Sequence, residues 1–373
     1  MWPSSGCHNL LLKGFCIKDL HDLSDALISK RYLNQRPAAG EIENILLIRF
    51  KSIGDILFTL PAVGAVRDNF PNAKITFLTS KENAPLIGGF RDVDEVIGID
   101  RSIYHRRNLK AMLLETVSLL RRLRRKKFSL AVDFQGYGET GLISWLSGAK
   151  NRWGSVYQPG RAWAYTRPIK REKLAHPADW NLSLLRQCGL RCEPIRNQFI
   201  VPEGPLEEAR RFFISHRLDP AGTTLFLQPF TSTPNKNWPL ENYLALAADW
   251  RDRGVQTVFG GGPADRAALA AARGAGFVVS AGVPLIVTAG LMKHCDLIVG
   301  GDTGLLHVAV AMNKRVVMLM RSTTRNKCRP FQHPDWVLYP PDDSNICGIK
   351  PQTVINACMG ALAGERETSG ARR

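Results

Sequence analysis

From Asn44 onward, short unbroken apolar runs alternate with longer stretches in which apolar residues recur at helical spacing. "NILLIRF" (44–50) is the first run, and a helical segment follows to Phe70. "AKITFLT" (73–79) and "DEVIGI" (94–99) come next, then a long amphipathic stretch over 108–127 and "FSLAVDF" (128–134). Runs that are apolar throughout, rather than at every second position, fit strands covered on both faces. Strands alternating with helices in this way predict βαβ units and a parallel sheet.

The alternation stops after Trp153. Residues 156–176 are rich in Pro, Gly, Arg and aromatics, which predicts a long loop. Helical spacing returns in "PADWNLSLLRQCGL" and ends near Gly189. Pro194, Pro202, Pro205 and Pro220 then mark a passage between domains. A second series opens at "TTLFLQP" (223–229). A helix is predicted from Pro239 to Gly254, with Pro at its start and Gly past its end. The strands "VQTVFGG", "FVVSA", "DLIVGGD" and "RVVMLM" alternate with the helices "ADRAALAAARGAG", "PLIVTAGLMKHC" and "GLLHVAVAMN". The expected class is therefore α/β, in two similar halves. The expected division is an N-terminal extension (1–43), a first domain (44–200), a linker region (201–222), a second domain (223–345) and a C-terminal helix and tail (346–373). Ligands of such sheets bind beyond the carboxyl ends of the strands, so the cleft between two facing domains is the expected site.

Composition sharpens this picture at one point. A chain of 373 residues suits two domains, and 45% apolar with 22% charged residues is ordinary for a globular protein. The net charge of +17 is not ordinary, and it calls for an anionic partner. Ten Lys/Arg stand against one acid, Glu115, in 101–127. Seven stand against one in 150–173, with Trp153, Tyr157, Trp163 and Tyr165 interleaved. Such stretches suit a solvated face, or a membrane interface that grips phosphates. No nucleic-acid-binding motif accompanies them. No apolar run approaches the roughly 20 residues that span a bilayer. "NLLLKGFCIKDLHDL", broken by Lys13, Lys18 and Asp19, does not follow a secretion signal. Eight cysteines without a C-x-x-C pair argue against a zinc or thioredoxin-like site and suit a reducing cytoplasm.

Four stretches carry candidate chemistry. In "DLIVGGDTGLLHVAVAM" (296–312) an apolar strand runs through Gly-Gly-Asp-Thr-Gly into a helix, whose free N–H groups can hold an anion. Asp302 or Thr303 could equally be a plain N-cap, and His307 is expected to be packed or capping. "QPFTSTPNKNWP" (228–239) offers the hydroxyls of Thr231, Ser232 and Thr233 and the cation of Lys236, the parts of a diphosphate cradle. Trp238 is expected to pack. "FGGGPADRAAL" (259–269) sets Asp265 where a carboxylate can accept from ribose hydroxyls, or simply favour a helix start. "KSIGDILFTLPAV" (51–63) places Gly54 and Asp55 between strand and helix. Pro61, costly deep inside a helix, predicts that the main helix starts near Thr59. Asp55 would then lie in a short preceding turn, which weakens a purely capping role.

Taken together, "RFKSIGDILFTLPAV", "VDFQGYGETGLISWLSGAK", "NKNWP" and "GGDTGLLHVAVAMNKRVV", in this order and spacing, resemble glycosyltransferase family 9, the ADP-heptose:lipopolysaccharide heptosyltransferases. The resemblance covers about residues 44–360. It implies the GT-B fold, two Rossmann-like domains facing across a cleft. It implies Asp55 as catalytic base and Lys236 as a second catalytic residue, in the sugar-nucleotide site. Thr231, Ser232, Asp302, Thr303 and Gly304 would be further donor-binding residues, and Asp265 a ribose contact. Lys51, Gly54 and Gln135, in the matched stretches, are assigned to the acceptor. The co-substrate would be an ADP-linked sugar, with no other cofactor and no metal. The acceptor would be an anionic lipopolysaccharide core, reached by a cytoplasmic monomer peripheral on the inner membrane surface. Leu306 stands where some members carry a small polar residue, and the N-terminal extension has no counterpart. Two other classes fit parts of the pattern: another GT-B enzyme such as a nucleotide-sugar epimerase, and a basic nucleic-acid binder.

Overall fold

The computed structural model describes residues 39–102, 109–171, 176–321, 328–341 and 345–370. Most of the expected N-terminal extension lies outside the described residues. Two sheets of six strands each organise the chain, and every strand pair in both is parallel. The first is built from β1 (Asn44–Ile48), β2 (Lys74–Ser80), β3 (Glu95–Ile99), β4 (Leu130–Asp133), β5 (Asn151–Val156) and β6 (Arg167–Lys170), in the order β3-β2-β1-β4-β5-β6. The second is built from β7 (Thr224–Gln228), β8 (Gln256–Gly261), β9 (Val278–Ala281), β10 (Leu297–Gly301), β11 (Val316–Leu319) and β12 (Val337–Leu338), in the order β12-β11-β10-β7-β8-β9. Counted from β7, this is the same order as in the first sheet. Both are doubly wound sheets in which the direction of winding reverses once, beside the first strand.

The continuous apolar runs have the predicted cause. β4, β7, β10 and β11 are buried at every residue, because helices cover both faces. Two stretches depart from expectation. Within the predicted loop 156–176, residues Pro159–Ala164 form a 3-10 turn and β6 adds an edge strand. β6 is half-exposed, holds Pro168 and pairs only with β5, so it carries no apolar run that could signal it. The predicted helix after β8 is divided into a 3-10 turn, Pro263–Arg266, and a short helix, Ala270–Gly274.

Residues of the expected linker region form the helix Glu203–Ser215, which packs on helix Leu285–His294. Gly290 makes this packing close: a β carbon there would lie 2.9 Å from the Ala209 side chain and from the Pro205 carbonyl. The chain that crosses between the halves is tied to both. Phe199 N donates to Ala311 O and Ile200 N to Gly89 O, each at 2.9 Å. The Phe199 ring occupies the space a side chain at Gly89 would need. A single apolar core runs through the seam, joining Leu184 and Phe58 of the first half to Phe213, Val310 and Phe331 of the second.

His176 is a polar member of that seam. Its ring packs edge-on against Phe58, stacks on Phe331, and Nε2 bonds the carbonyl of Arg329 at 3.1 Å. Nδ1 accepts from Ala178 N, which places the proton on Nε2. Burial pushes the imidazole down to about 4, whereas the unfolded chain titrates near 6.5. The unfolded state therefore binds the extra proton between these values, and stability falls as pH is lowered from about 6.5 to about 4. His176→Gln should remove on the order of 3 kcal/mol of that dependence. Urea unfolding at neutral and mildly acid pH checks this. An unchanged pH slope in the variant would assign the effect to other groups.

Candidate active site

The two points where the winding reverses lie between β1 and β4 and between β7 and β10. The segments leaving these four strands hold nearly all the candidate residues. On the β1 side the chain turns through Lys51 and Ser52 into a five-residue helix, Ile53–Leu57, and restarts as helix Leu60–Asn69 with Pro61 in its first turn. The break near Thr59 is where Pro61 predicted it. Asp55 sits in the short helix and does cap it: Ser52 N and Ser52 Oγ both donate to Asp55 Oδ2 at 3.1 Å. The expectation that a short turn would weaken the capping role is therefore corrected, since the turn is short enough for one carboxylate oxygen to close it.

A third partner on the same oxygen is Arg49, with Nη2 at 2.9 Å. This guanidinium is buried. Its Nε donates to Lys51 O and its Nη1 to Phe134 O at 2.7 Å. Arg49 thus ties the β1 exit, the β4 exit and the carboxylate into one unit. Among the described residues these bonds all fall on Oδ2. Gln135 is a second tie: its Oε1 accepts from Phe50 N at 2.8 Å, and the side chain is buried. Lys51 is exposed, and its backbone carbonyl serves Arg49.

On the β10 side, Asp302 is the centre of a hydrogen-bonded triad. Lys236 Nζ donates to Oδ2 at 2.6 Å, and His307 Nε2 lies 3.3 Å from Oδ1. Burial alone would raise the Asp302 carboxyl. Bonds and charges from His307 and Lys236 outweigh it and hold the group below the usual carboxylate range. Gly301, the last residue of β10, admits the neighbouring loop. A β carbon on Gly301 would lie 2.8 Å from Lys236 O and 2.9 Å from Thr231 Cγ2. Thr231 spends its hydroxyl on its own loop, with Thr233 O at 2.9 Å, and its N–H on Asn237 Oδ1. Ser232 is exposed. Trp238 is buried as expected, its indole donating to Ile349 O.

Thr303 is the N-cap of helix Gly304–Ala311, in extended conformation, and makes no side-chain cap bond. Asp302 spends its carboxylate on Lys236 and His307 instead. The plain capping role considered for these two residues is therefore not taken up, and the first N–H groups of this helix are open to an anion. Asp265 behaves otherwise: its carboxylate accepts from Gly262 N at 2.7 Å and closes its own turn beyond β8.

The two sides meet through glycines. A β carbon on Gly304 would lie 2.5 Å from Ile53 Cγ2 and 3.2 Å from Gly54 N, so the starts of helices Ile53–Leu57 and Gly304–Ala311 touch. His307 is buried in this contact rather than capping, its ring edge-on to Phe58. Asp55 is thereby set next to the open helix start of the opposite half.

Arg49 and Arg171 were not candidates from the sequence. Arg49 closes an apolar strand and looks like a chain of core residues meeting solvent. Arg171 follows the unpredicted edge strand β6, hydrogen-bonds the Tyr157 hydroxyl, and lies over the rings of Tyr157 and Trp180. Burial pulls its guanidinium down, and the neighbouring Tyr157 offsets this only in part. Cations interleaved with aromatics in 150–173 were the only sign of it.

With this geometry established, known proteins can be compared. The sequence pattern of Glycosyltransferase family 9 (heptosyltransferase) matches residues 116–345. The chain belongs to glycosyltransferase family 9. It is a transferase of GT-B fold. Lipopolysaccharide heptosyltransferase 3 of Escherichia coli is 23% identical over 303 residues, covering 75% of this chain and 84% of that one. A family 9 glycosyl transferase from Veillonella parvula superposes with a TM-score of 0.78 at 20% identity, covering 88% of this chain and 99% of its own. The E. coli ADP-heptose lps heptosyltransferase II superposes with a TM-score of 0.72 at 22% identity, over 87% of this chain and 99% of its own.

Within this family 9 chain, Arg49 holds the Asp55 carboxylate against the β1 and β4 exits. Arg49→Ala removes a buried cation with three acceptors, and should cost about 3 kcal/mol of stability. It should also lower turnover while leaving nucleotide affinity within a few-fold. Equilibrium unfolding and calorimetric titration of nucleotide separate the two effects. A parallel loss of nucleotide affinity would show that Arg49 serves the donor side instead.

Proposed function

We propose that this family 9 enzyme moves a heptose from ADP-heptose to an anionic lipopolysaccharide core acceptor, inverting the anomeric centre. The observation that carries this is the contact of Gly54 with Gly304. It sets a carboxylate of the first domain against an uncapped helix N-terminus of the second. The donor lies on the second domain, its diphosphate at the N–H groups that follow Thr303 and near Lys236, with Ser232 and the Thr231 loop at its edge. Asp265, beyond β8, is on the ribose side.

Asp55 takes the proton from the acceptor hydroxyl through Oδ1 as the oxygen attacks the anomeric carbon. The bond to the diphosphate breaks on the opposite face, and the leaving charge builds where the helix start and Lys236 can stabilise it. Asp302 keeps Lys236 in place with one of its three N–H groups, which leaves donors for phosphate oxygens. His307 steadies Asp302 from behind. Arg171, on Tyr157 at the acceptor side, suits an acceptor carboxylate or phosphate. It would have no such task in an epimerase that works without an acceptor. The ADP-heptose named for the similar E. coli enzyme supports the choice of donor.

The direct test is mass-spectrometric detection of heptose on lipid A–Kdo acceptors from a panel of ADP- and UDP-sugars. Asp55→Asn should lower kcat by about a hundredfold or more with donor affinity nearly intact. Retention of most turnover would remove Asp55 as base. Lys236→Met should weaken ADP binding by about tenfold, read by calorimetry. An unchanged affinity would place the diphosphate elsewhere.

A further inference from the structure

A carboxylate lies buried behind the loop that holds Arg49. Asp133 ends β4 and is fully buried, and the bonds it accepts come from neutral donors. Oδ1 takes Gln135 N at 2.8 Å and Gly136 N at 3.0 Å, and Oδ2 takes the Tyr165 hydroxyl at 2.6 Å. Burial pushes the Asp133 carboxyl up, and the Tyr165 bond is the strongest contact opposing it. The Tyr165 phenol is itself pushed up, by burial and by this carboxylate, so it stays the donor. Tyr165 belongs to the aromatics interleaved with cations in 150–173, and it is buried. The fold makes room for it. Gly154 is the register partner of Asp133, and a β carbon there would lie 2.2 Å from the Tyr165 ring.

The residues that Asp133 orders are the ones that reach β1. The two N–H bonds turn the chain sharply through Gly136, at φ +71° and so close to β5 that a β carbon would lie 2.0 Å from Ser155 O. Arg161, in the turn Pro159–Ala164, holds the same loop from its other side through Gly136 O at 3.1 Å. Phe134 and Gln135, so fixed, present two acceptors to the β1 exit. Phe134 O takes Arg49 Nη1, and Gln135 Oε1 takes Phe50 N. Arg49 then pairs with Asp55. The path from the Tyr165 hydroxyl to the Asp55 carboxylate thus runs through Asp133, the loop 134–136 and one guanidinium, and most of it is buried.

We propose that Asp133 and Tyr165 are positioning residues for Asp55, acting through the loop 134–136 and Arg49. The proposal rests on the reading of Asp55 as base for its effect on turnover, though not for the linkage itself. A carboxylate buried without a cation depends on every donor it has. Without the Tyr165 hydroxyl, Oδ2 is left unpartnered and Asp133 takes up a proton. The neutral acid is a weaker acceptor than the carboxylate, so its hold on Gln135 N and Gly136 N slackens. Phe134 O then moves relative to Arg49, and the guanidinium no longer keeps Asp55 in one place.

The test is a cycle of Tyr165→Phe and Asp55→Asn in the full chain, with turnover and acceptor KM from sugar transfer and donor affinity from calorimetry. Tyr165→Phe keeps the ring over Gly154 and removes one hydroxyl, and its melting temperature records the structural cost separately. It should lower kcat by about tenfold, with acceptor KM and donor affinity within about twofold. Added to Asp55→Asn it should cost less than about twofold, because the group it positions is gone. An unchanged kcat overturns the proposal. So does the same loss in both backgrounds, which makes the pair a structural tie only. The Asp55 carboxylate carbon, followed by carbon NMR and assigned through its absence in Asp55→Asn, reports the linkage without any reaction. Its signal should shift in Tyr165→Phe, and a signal that stays in place overturns the proposal as well. If Asp55→Asn keeps most of its turnover while the wild-type signal still responds to Tyr165→Phe, the linkage stands and the base assignment alone fails.

Discussion

Two helices start at the same point in space, and one of them cannot carry a side chain there. A β carbon on Gly304 would overlap Ile53 at 2.5 Å, while one on Gly54 would meet the His307 ring at 3.4 Å, in ordinary contact. This backbone contact sets the spacing of everything around it. It brings Asp55 to the helix start that follows Thr303. It seats Phe58 against His307, and it draws the exits of β1 and β10 to one cleft. The apolar seam of Phe58, Leu184, Val310 and Phe331 holds the halves in that relation, and the glycines decide how closely they approach.

Around this contact the charges are arranged in fixed pairs. Arg49 and Asp55, and Lys236 with Asp302 and His307, are mostly withdrawn from water. Breaking a buried pair costs about 3–5 kcal/mol. An exposed i,i+4 pair such as Asp249–Arg253 is screened by solvent and contributes little. The inner pairs therefore hold the Asp55 and Asp302 carboxylates in position, while the surplus positive charge on the outer surface is left to act at long range. The two sets differ in what salt does to them: screening weakens the outer field and barely reaches the inner pairs.

Much of this was legible in the sequence. Unbroken apolar runs located β1, β2, β4, β7, β10 and β11, because doubly covered strands need apolar side chains on both faces. Gly-Gly-Asp-Thr-Gly and the Asp55 turn stood out because strand-to-helix junctions with glycine are few. Pro61 located the helix break. β6 was missed because an edge strand is held by backbone bonds on one side only, which asks little of its side chains. Arg171 was lost with it. Helix Glu203–Ser215 was submerged in a proline-rich stretch expected to be a linker.

By itself the sequence determined the α/β class, the two-halved plan and the residue types at the strand exits, since these depend on local periodicity and on backbone freedom at glycine. Tertiary structure alone decided which groups act together. Arg49 and Asp55 are six residues apart, yet their bond matters because Phe134, from another strand, completes the same guanidinium. Asp302 could have capped its helix. Lys236, 66 positions away in the chain, draws its carboxylate off and leaves the helix start open. Partners like these are chosen by the packing of strands distant in sequence, and no local pattern records that choice.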